Sequence, residues 1–299
     1  MSLRALYDLP APAKLNLFLH VVGRRADGYH LLESAFVLID WADTLHIERR
    51  DDGRISREDL SIALPQDDLC VRAARALQQA SGTQLGAAIA IDKQVPSGAG
   101  LGGGSSDAAT VLLALNRLWD LRWPRQRLMA LAATLGADVP FFIFGEDALV
   151  QGIGEQLSPL GLPSAGRPAR YAVVKPAASI PTEAIFRSPL LSRSTPSVIV
   201  MGSLERAALQ VLADQPAAFG RNDLQTPAQA HCADVMTAAQ WLQTRFGPSR
   251  MTGSGSAVFS KVDAGLGPEA TWPEASMPKG WVGRLCQGLS SHPLRGWAG

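Results

Sequence analysis

Residues 96–108 read PSGAGLGGGSSDA, and five of the seven positions from Gly98 to Gly104 are glycine. Glycine reaches positive φ at little steric cost and carries no Cβ to hold a ligand off the main chain, so such a run can turn several N–H groups toward one anion. Ser105, Ser106 and Asp107 come next, all of them types favoured at helix N-caps, and they open the apolar stretch SSDAATVLLALNRLW (105–119). A helix N-terminus behind a glycine nest suits phosphate, because its first N–H groups are unpaired and its dipole favours negative charge. The other reading is a flexible linker or packing loop, but linkers are not normally built into a core element. Here the loop lies between the strand-like AAIAIDKQV (87–95) and a strongly apolar helix.

Two familiar nucleotide motifs fail on the letters. Walker A ends in GK[ST], and no Gly-Lys dipeptide occurs in the chain. Gly98, Gly100 and Gly103 satisfy GxGxxG, but a dinucleotide fold needs a second strand after the helix and an acidic residue about 20 positions on. In place of that strand the chain continues with LRWPRQRLMALAATLG, a helical pattern.

Outward from the loop, AKLNLFLHVV (13–22) and FVLIDWADTLHIER (36–49) read as strands on either side of the polar turn GRRADGYHLLES. Residues 67–80 place Leu69, Ala73, Ala76 and Leu77 on one helix face. Beyond GADVPFFIFG (136–145), the segment SPLGLPSAGRP (158–168) holds three prolines and two glycines, which marks a boundary between residues 1–160 and 161–299. The second half offers a strand at YAVVKP (171–176), a helix at 233–246 and the small-residue segment MTGSGSAVFS (251–260). The tail beyond Lys261 shows weak periodicity.

The 299 residues are 46% hydrophobic and 18% charged, with 28 Lys+Arg against 27 Asp+Glu for a net charge of +1. Disorder needs the opposite balance. Near-neutrality argues against nucleic acid as a partner, since affinity for phosphate backbones comes largely from excess positive charge. No apolar run approaches the roughly 20 residues of a spanning helix, so no membrane partner is expected. Cys70, Cys232 and Cys286 are odd in number and widely spaced, which fits a reducing cytoplasm better than a disulfide framework. His20, His46, His231 and His292 share no metal-ligand spacing. The chain has only five lysines, Lys14, Lys93, Lys175, Lys261 and Lys279.

The string PSGAGLGGGSSDAA resembles the central motif of the GHMP kinases. PAKLNLFLHVVGRRADGYHLLES, NRLW, QGIGEQL, SIPTEAIF and MTGSGSAVF extend the likeness over roughly residues 11–260, in order. DGYH together with AKLNLFLH narrows it to the branch that phosphorylates a hydroxyl of a cytidine-diphosphate-linked methylerythritol, in isoprenoid precursor synthesis. The resemblance implies a two-domain α+β fold: an N-terminal ribosomal-protein-S5-like domain that binds ATP, a C-terminal ferredoxin-like sandwich, and the active site in the cleft between them. It also implies ATP and Mg²⁺ as cofactors, one small-molecule substrate and a monomer or weak homodimer.

Residue by residue, the resemblance makes Asp138 the catalytic base and Lys14 its electrostatic partner, in a direct in-line transfer without a phosphoenzyme. Read without the family, Asp138 is a helix N-cap and Lys14 an edge-strand lysine with its amine in solvent. ATP would meet Pro96, Ser97, Gly98, Ala99, Gly100, Leu101, Gly102, Gly103, Gly104, Ser105 and Ser106. Asn116 either meets the nucleotide or lies on an exposed helix face. Tyr29 would stack the cytosine, His30 would bond its edge and Phe186 would close the far side, with Asn16, Thr182 and Gly253 also at the substrate. Asp68 stands where relatives often carry an asparagine near the nucleotide, and Lys93 contacts either phosphate or solvent. No protein side chain is assigned to the metal. Superfamily kinases of homoserine or mevalonate derivatives are the nearest rival, and an idle nucleotide-binding protein on the same scaffold is the other. Tyr29, His30 and Phe186 discriminate against the first, the Lys14–Asp138 pair against the second.

Overall fold

The computed structural model describes residues 3–162, 168–262 and 272–298. The elements run in the order β1 (Ala5–Arg24), β2 (His30–Arg50), β3 (Ile55–Asp59), α1 (Leu69–Ser81), β4 (Gly86–Asp92), α2 (Gly103–Leu118), α3 (Arg125–Ala133), α4 (Val139–Phe144), β5 (Ala148–Gln151), β6 (Gln156–Pro159), β7 (Arg170–Lys175), α5 (Thr182–Arg187), α6 (Arg206–Asp214), α7 (Gln225–His231), α8 (Ala233–Phe246), β8 (Ser249–Met251), β9 (Val258–Val262) and β10 (Val282–Gln287). They form an α+β protein with two sheets. One has the order β3-β4-β2-β5-β6 with β1 paired to β2, and the other the order β10-β7-β9-β8. All pairings are antiparallel except β3 with β4. Of the expected boundary segment 158–168, residues 163–167 lie outside the described residues.

Helix α2 is apolar on nearly every side and is the buried axis of the first half, as an all-round hydrophobic helix must be. It begins one turn earlier than the cap-forming residues imply. Gly102 takes the cap position in the left-handed region, with φ of 74°, so Ser105, Ser106 and Asp107 lie inside the first turns rather than capping. In α1, Asp68 is the N-cap and accepts from the Val71 N–H at 3.1 Å.

β1 is the strand that the two halves share. Its inner edge pairs with β2, with register shifts on either side of Lys14 and Asn16. Such bulges re-aim side chains: Ala13, Leu15 and Leu17 go to the core, Lys14 and Asn16 to the opposite face. Its outer edge is met from elsewhere. The Lys14 N–H donates to Leu101 O at 3.0 Å, the Asn16 N–H to Thr252 Oγ1 at 2.9 Å, the Leu19 N–H to Arg221 O at 2.9 Å and the Val21 N–H to Asp223 Oδ2 at 2.8 Å. Arg250 is buried beside this edge and donates to the carbonyls of Leu17, Phe219, Ala217 and Gly220. Burial pushes its guanidinium down to about 10, still charged at neutral pH.

The tail does not stay with the second sheet. After β10, Gly288 bridges to Ile39, and Leu294 and Ala298 enter the core around α2. Arg125 holds this return, donating to the carbonyls of Arg295 at 2.6 Å and Ala298 at 2.8 Å.

Candidate active site

One cavity of about 1020 Å³ runs from the glycine loop past Lys14 and Asp138 to Tyr29, His30 and Phe186. At the loop end, Gly98, Gly100 and Gly102 all have positive φ, while Ala99 and Leu101 between them point into the core. This alternation turns successive N–H groups to one side, the geometry of an anion nest. Two glycines are obligatory on space as well as on φ. A Cβ on Gly100 would stand 2.3 Å from Thr252 O, and one on Gly102 would stand 2.9 Å from the Phe142 ring. Ser105 also lines the cavity, Pro96 and Ser97 sit at the entry to the loop, and Gly103 packs against Val95 and Lys93. Gly104 faces Leu69, and Ser106 is buried with no hydrogen-bond partner for its Oγ.

At the centre, Lys14 Nζ lies 3.4 Å from Asp138 Oδ2. The lysine side chain is 3% exposed and the aspartate 32%, so the amine is enclosed while the carboxylate stays reachable. Edge-strand solvation is thereby excluded for Lys14, which also sits 4.6 Å from the centre of the Phe36 ring. Asp138 does occupy the N-cap position of α4, but it makes no side-chain cap bond, so its carboxylate is free for the cavity. Asn16 accepts from Lys14 Nζ at 2.6 Å and from Thr252 Oγ1 at 3.2 Å, and donates to Ser34 Oγ at 3.0 Å. Its carbonyl is thus committed to holding the amine. Ser34 and Thr252 belong to this arrangement; both lie within the motifs quoted above, yet neither is among the expected site residues.

At the far end Tyr29 is 61% exposed on the rim, and the His30 and Phe186 rings stack on each other, 5.1 Å apart at 30°. Burial first, and then the charges of Arg193 and Arg24, push the His30 imidazole below its ordinary value. Thr182 at the start of α5 shares a 2.7 Å hydrogen bond with Ser254, next to Gly253. Both Thr182 and Gly253 line the cavity. Arg193, which comes from an irregular stretch with no pattern to single it out, lines the cavity too.

Two expectations are corrected. Asn116 is buried and both ends of its amide are used by Trp123, donating to Trp123 O at 3.2 Å and accepting from Trp123 N–H at 2.9 Å. It ties off the turn after α2 and does not line the cavity. Lys93 meets neither phosphate nor solvent, being buried between Asp43 and Asp107. Burial opposes its charge, but the Asp107 and Asp43 carboxylates outweigh that and hold its pKa above the ordinary lysine value. Asp43 also accepts from the N–H groups of Gln94 at 2.6 Å and Val95 at 2.7 Å, so the triad joins the strand entering the glycine loop to the helix leaving it. Asp68 is likewise structural here, paired with Arg57 at 2.7 Å in addition to its cap.

Among the described residues, no group of three or more His, Cys, Asp or Glu side chains could hold a metal ion. A Mg²⁺ ion brought in on a nucleotide takes few protein ligands and keeps waters, so its fit is tested on single hydroxyls rather than on such a group. Ser105, in the cavity wall, and Ser106, with its unpartnered hydroxyl, fit such an ion.

Residues 68–146 match the GHMP kinases N terminal domain. Across its whole length the chain is 60% identical to the 4-diphosphocytidyl-2-C-methyl-D-erythritol kinase of Methylibium petroleiphilum, and all of that protein is covered. It is 53% identical to the kinase of the same name from Polaromonas naphthalenivorans, over 99% of this chain and 97% of that one. These matches include the tail beyond Ser260, where the sequence motifs give out. A crystal structure of 4-(cytidine 5'-diphospho)-2C-methyl-D-erythritol kinase superposes with a TM-score of 0.76 at 33% identity, covering 94% of this chain and all of that one. A homoserine kinase from Cytophaga hutchinsonii shares the fold at 15% identity and a TM-score of 0.64, over 98% and 96% of the two chains. Among the described residues no helix is long and apolar enough to cross a membrane.

Proposed function

The chain belongs to the 4-diphosphocytidyl-2-C-methyl-D-erythritol kinases of the GHMP superfamily, and from that premise we propose that it transfers the γ-phosphoryl group of ATP to the 2-hydroxyl of 4-diphosphocytidyl-2-C-methyl-D-erythritol. The observation that carries this reading is the order of features along one cavity: a glycine nest, then the Lys14–Asp138 pair, then an aromatic end lined by Tyr29, His30 and Phe186. A homoserine or mevalonate kinase has no use for the last of these.

The chemistry asks mainly for positioning and charge stabilisation. The triphosphate would lie on the nest and the N-terminus of α2, where Ser105 or Ser106 would help to hold a Mg²⁺ ion that would offset charge on the phosphates. Asp138 Oδ2 takes the proton of the acceptor hydroxyl as its oxygen attacks phosphorus in line. Lys14 places its positive charge against that carboxylate and is itself held by Asn16, so the pair is oriented before substrate arrives. Tyr29 stacks the cytosine, His30 bonds its edge, and Phe186, whose ring stacks on His30, closes the far side.

The test is to incubate the protein with Mg-ATP and the cytidyl substrate and to follow phosphorus NMR. A new phosphomonoester signal is expected, with none from homoserine or mevalonate. Folded protein that gives no product from the cytidyl substrate would falsify the assignment.

A further inference from the structure

Arg193 makes its contacts in a way that dictates which nitrogen of His30 carries the proton. Its Nη2 donates to the carbonyls of Phe186 and Ser188, each at 3.0 Å, and its Nη1 to Leu191 O at 3.3 Å. Its Nε donates to His30 Nε2 at 3.3 Å. The guanidinium therefore clamps the end of α5, which carries Phe186, to the first residue of β2. Two residues on, the segment is anchored: the Thr195 N–H donates to Val21 O at 3.0 Å, and its hydroxyl donates to the buried Asp223 at 2.6 Å. Arg193 is thus held in place independently of any ligand.

A guanidinium has donors only. His30 Nε2 must therefore accept, and a neutral ring then carries its hydrogen on Nδ1. Among the described residues nothing bonds Nδ1, and the ring lies in the cavity wall with one face on Phe186.

We propose that Arg193 is the positioning residue that makes the base pocket select cytosine over uracil, by holding His30 as the tautomer that donates from Nδ1. This rests on the kinase reading above. Cytosine presents an unprotonated N3 beside its exocyclic amine, and N3 accepts from Nδ1–H. Uracil carries a hydrogen on N3, so the same edge sets donor against donor and leaves both unsatisfied. A site built around one hydrogen bond rejects the analogue that cannot make it far more strongly than an apolar pocket rejects a shape. The opposite tautomer would reverse this preference, and a mixture would blunt it.

The experiment has two arms. In the first, long-range ¹H–¹⁵N correlation NMR of the free enzyme reads the His30 tautomer at neutral pH. Wild type shows a protonated Nδ1, and Arg193→Met shifts the ring toward the Nε2-protonated form. In the second, kcat/KM is compared for cytidine- and uridine-diphosphate-linked methylerythritol. Wild type prefers the cytidyl compound by about a hundredfold or more. Arg193→Met narrows the ratio at least about tenfold, chiefly through KM for the cytidyl compound, and Arg193→Lys, which keeps the charge but not the planar fork, narrows it similarly. A wild-type His30 protonated on Nε2, or an Arg193→Met enzyme that keeps the full cytidyl preference, overturns the inference. Wild type inactive on the cytidyl compound overturns the kinase reading instead, and the NMR arm still reports on Arg193.

Discussion

Lys14 and Asp138 divide their roles by exposure. An enclosed amine is bonded by Asn16, and a carboxylate spared from capping stays open to the cavity. Asp138→Asn should still fold, since no cap bond is lost and Asn16 still bonds the Lys14 amine, with a lowered melt from the lost ion pair, and should lower kcat by about 10²–10⁴-fold, the usual worth of a positioned base. Steady-state kinetics beside a thermal melt checks both halves, and turnover within tenfold of wild type would remove Asp138 as the base. If Tyr29, on the rim, stacks the base as proposed, a contact worth about 1–3 kcal/mol, Tyr29→Ala should raise KM for the cytidyl substrate about tenfold or more with little change in the melt. An unchanged KM would put the base elsewhere. Residues that line the cavity, such as Lys14, Asp138, Tyr29 and the loop glycines, are the most legible in the sequence, through the motifs that hold them. Asn116 and Lys93 mislead because a polar side chain aimed at a neighbouring backbone or a buried carboxylate looks, in one dimension, the same as one aimed at a nucleotide. Arg193 gives no signal at all, since its partners lie on strand β2 and helix α5 and its own stretch has no period.

At the scale of elements, the glycine loop is held from both ends and from behind. The Asp43–Lys93–Asp107 triad joins the strand before it to the helix after it, and the Thr252–Gly253 turn packs against Gly100. Gly100→Ala would drive a Cβ into Thr252 O and strain a positive φ, pushing two loops apart. Because displacements of about 1 Å cost on the order of 10²-fold in rate, kcat/KM for ATP should fall by about that factor. A variant with wild-type ATP kinetics would show that the packing of these loops does not set the nest. The loop, α2 and the strands around them are readable because glycine spacing and apolar periodicity are local properties. Side-chain types alone place the start of α2 one turn late, because Gly102 caps through its backbone conformation, which no side chain announces. β10 is hard to see in the letters for a related reason. It is an edge strand completed by pairing with β7, more than a hundred residues earlier in the chain, and its own residues alternate poorly.

At the scale of the molecule, two buried titratable groups near the returning tail oppose each other. Burial, with Arg125 adding to it, pushes His292 down to about 4 from its ordinary 6.5, and its Nε2 has no partner. Between those values the unfolded state holds the extra proton, so this group makes stability fall as pH falls. Burial pushes Asp147 up to about 7 from 3.8, against the hydrogen bond it accepts from Leu38 N–H. There the folded state holds the extra proton, and stability falls as pH rises. In the overlap the two slopes cancel. Asp147→Asn should leave stability rising with pH relative to wild type, by up to about 1.4 kcal/mol per unit, and His292→Asn should leave it falling by a similar amount. Denaturant titrations from about pH 4.5 to about pH 6 read the slopes, and three parallel curves would contradict the assignment. Arg250 bears on the molecule as a whole as well. Arg250→Met would remove the donor from four carbonyls, that of Leu17 fully buried and the others partly so, and should cost about 1–3 kcal/mol, read as a lowered denaturation midpoint. The bonds that Arg250, Thr252, Arg221 and Asp223 make to β1 have no signature in the sequence, because they link residues more than 200 positions apart. Its outcome is that β1, bonded along both edges, forms a stiff floor running from the phosphate nest toward the base pocket. Hydrogen exchange at Leu19 and Val21 should then be as slow as global unfolding. A floor that does not flex would act as a ruler: with the base and phosphate sites as proposed, it would fix the span from nucleobase to hydroxyl, and acceptors with a longer or shorter bridge would present the wrong atom to phosphorus however well their bases bind.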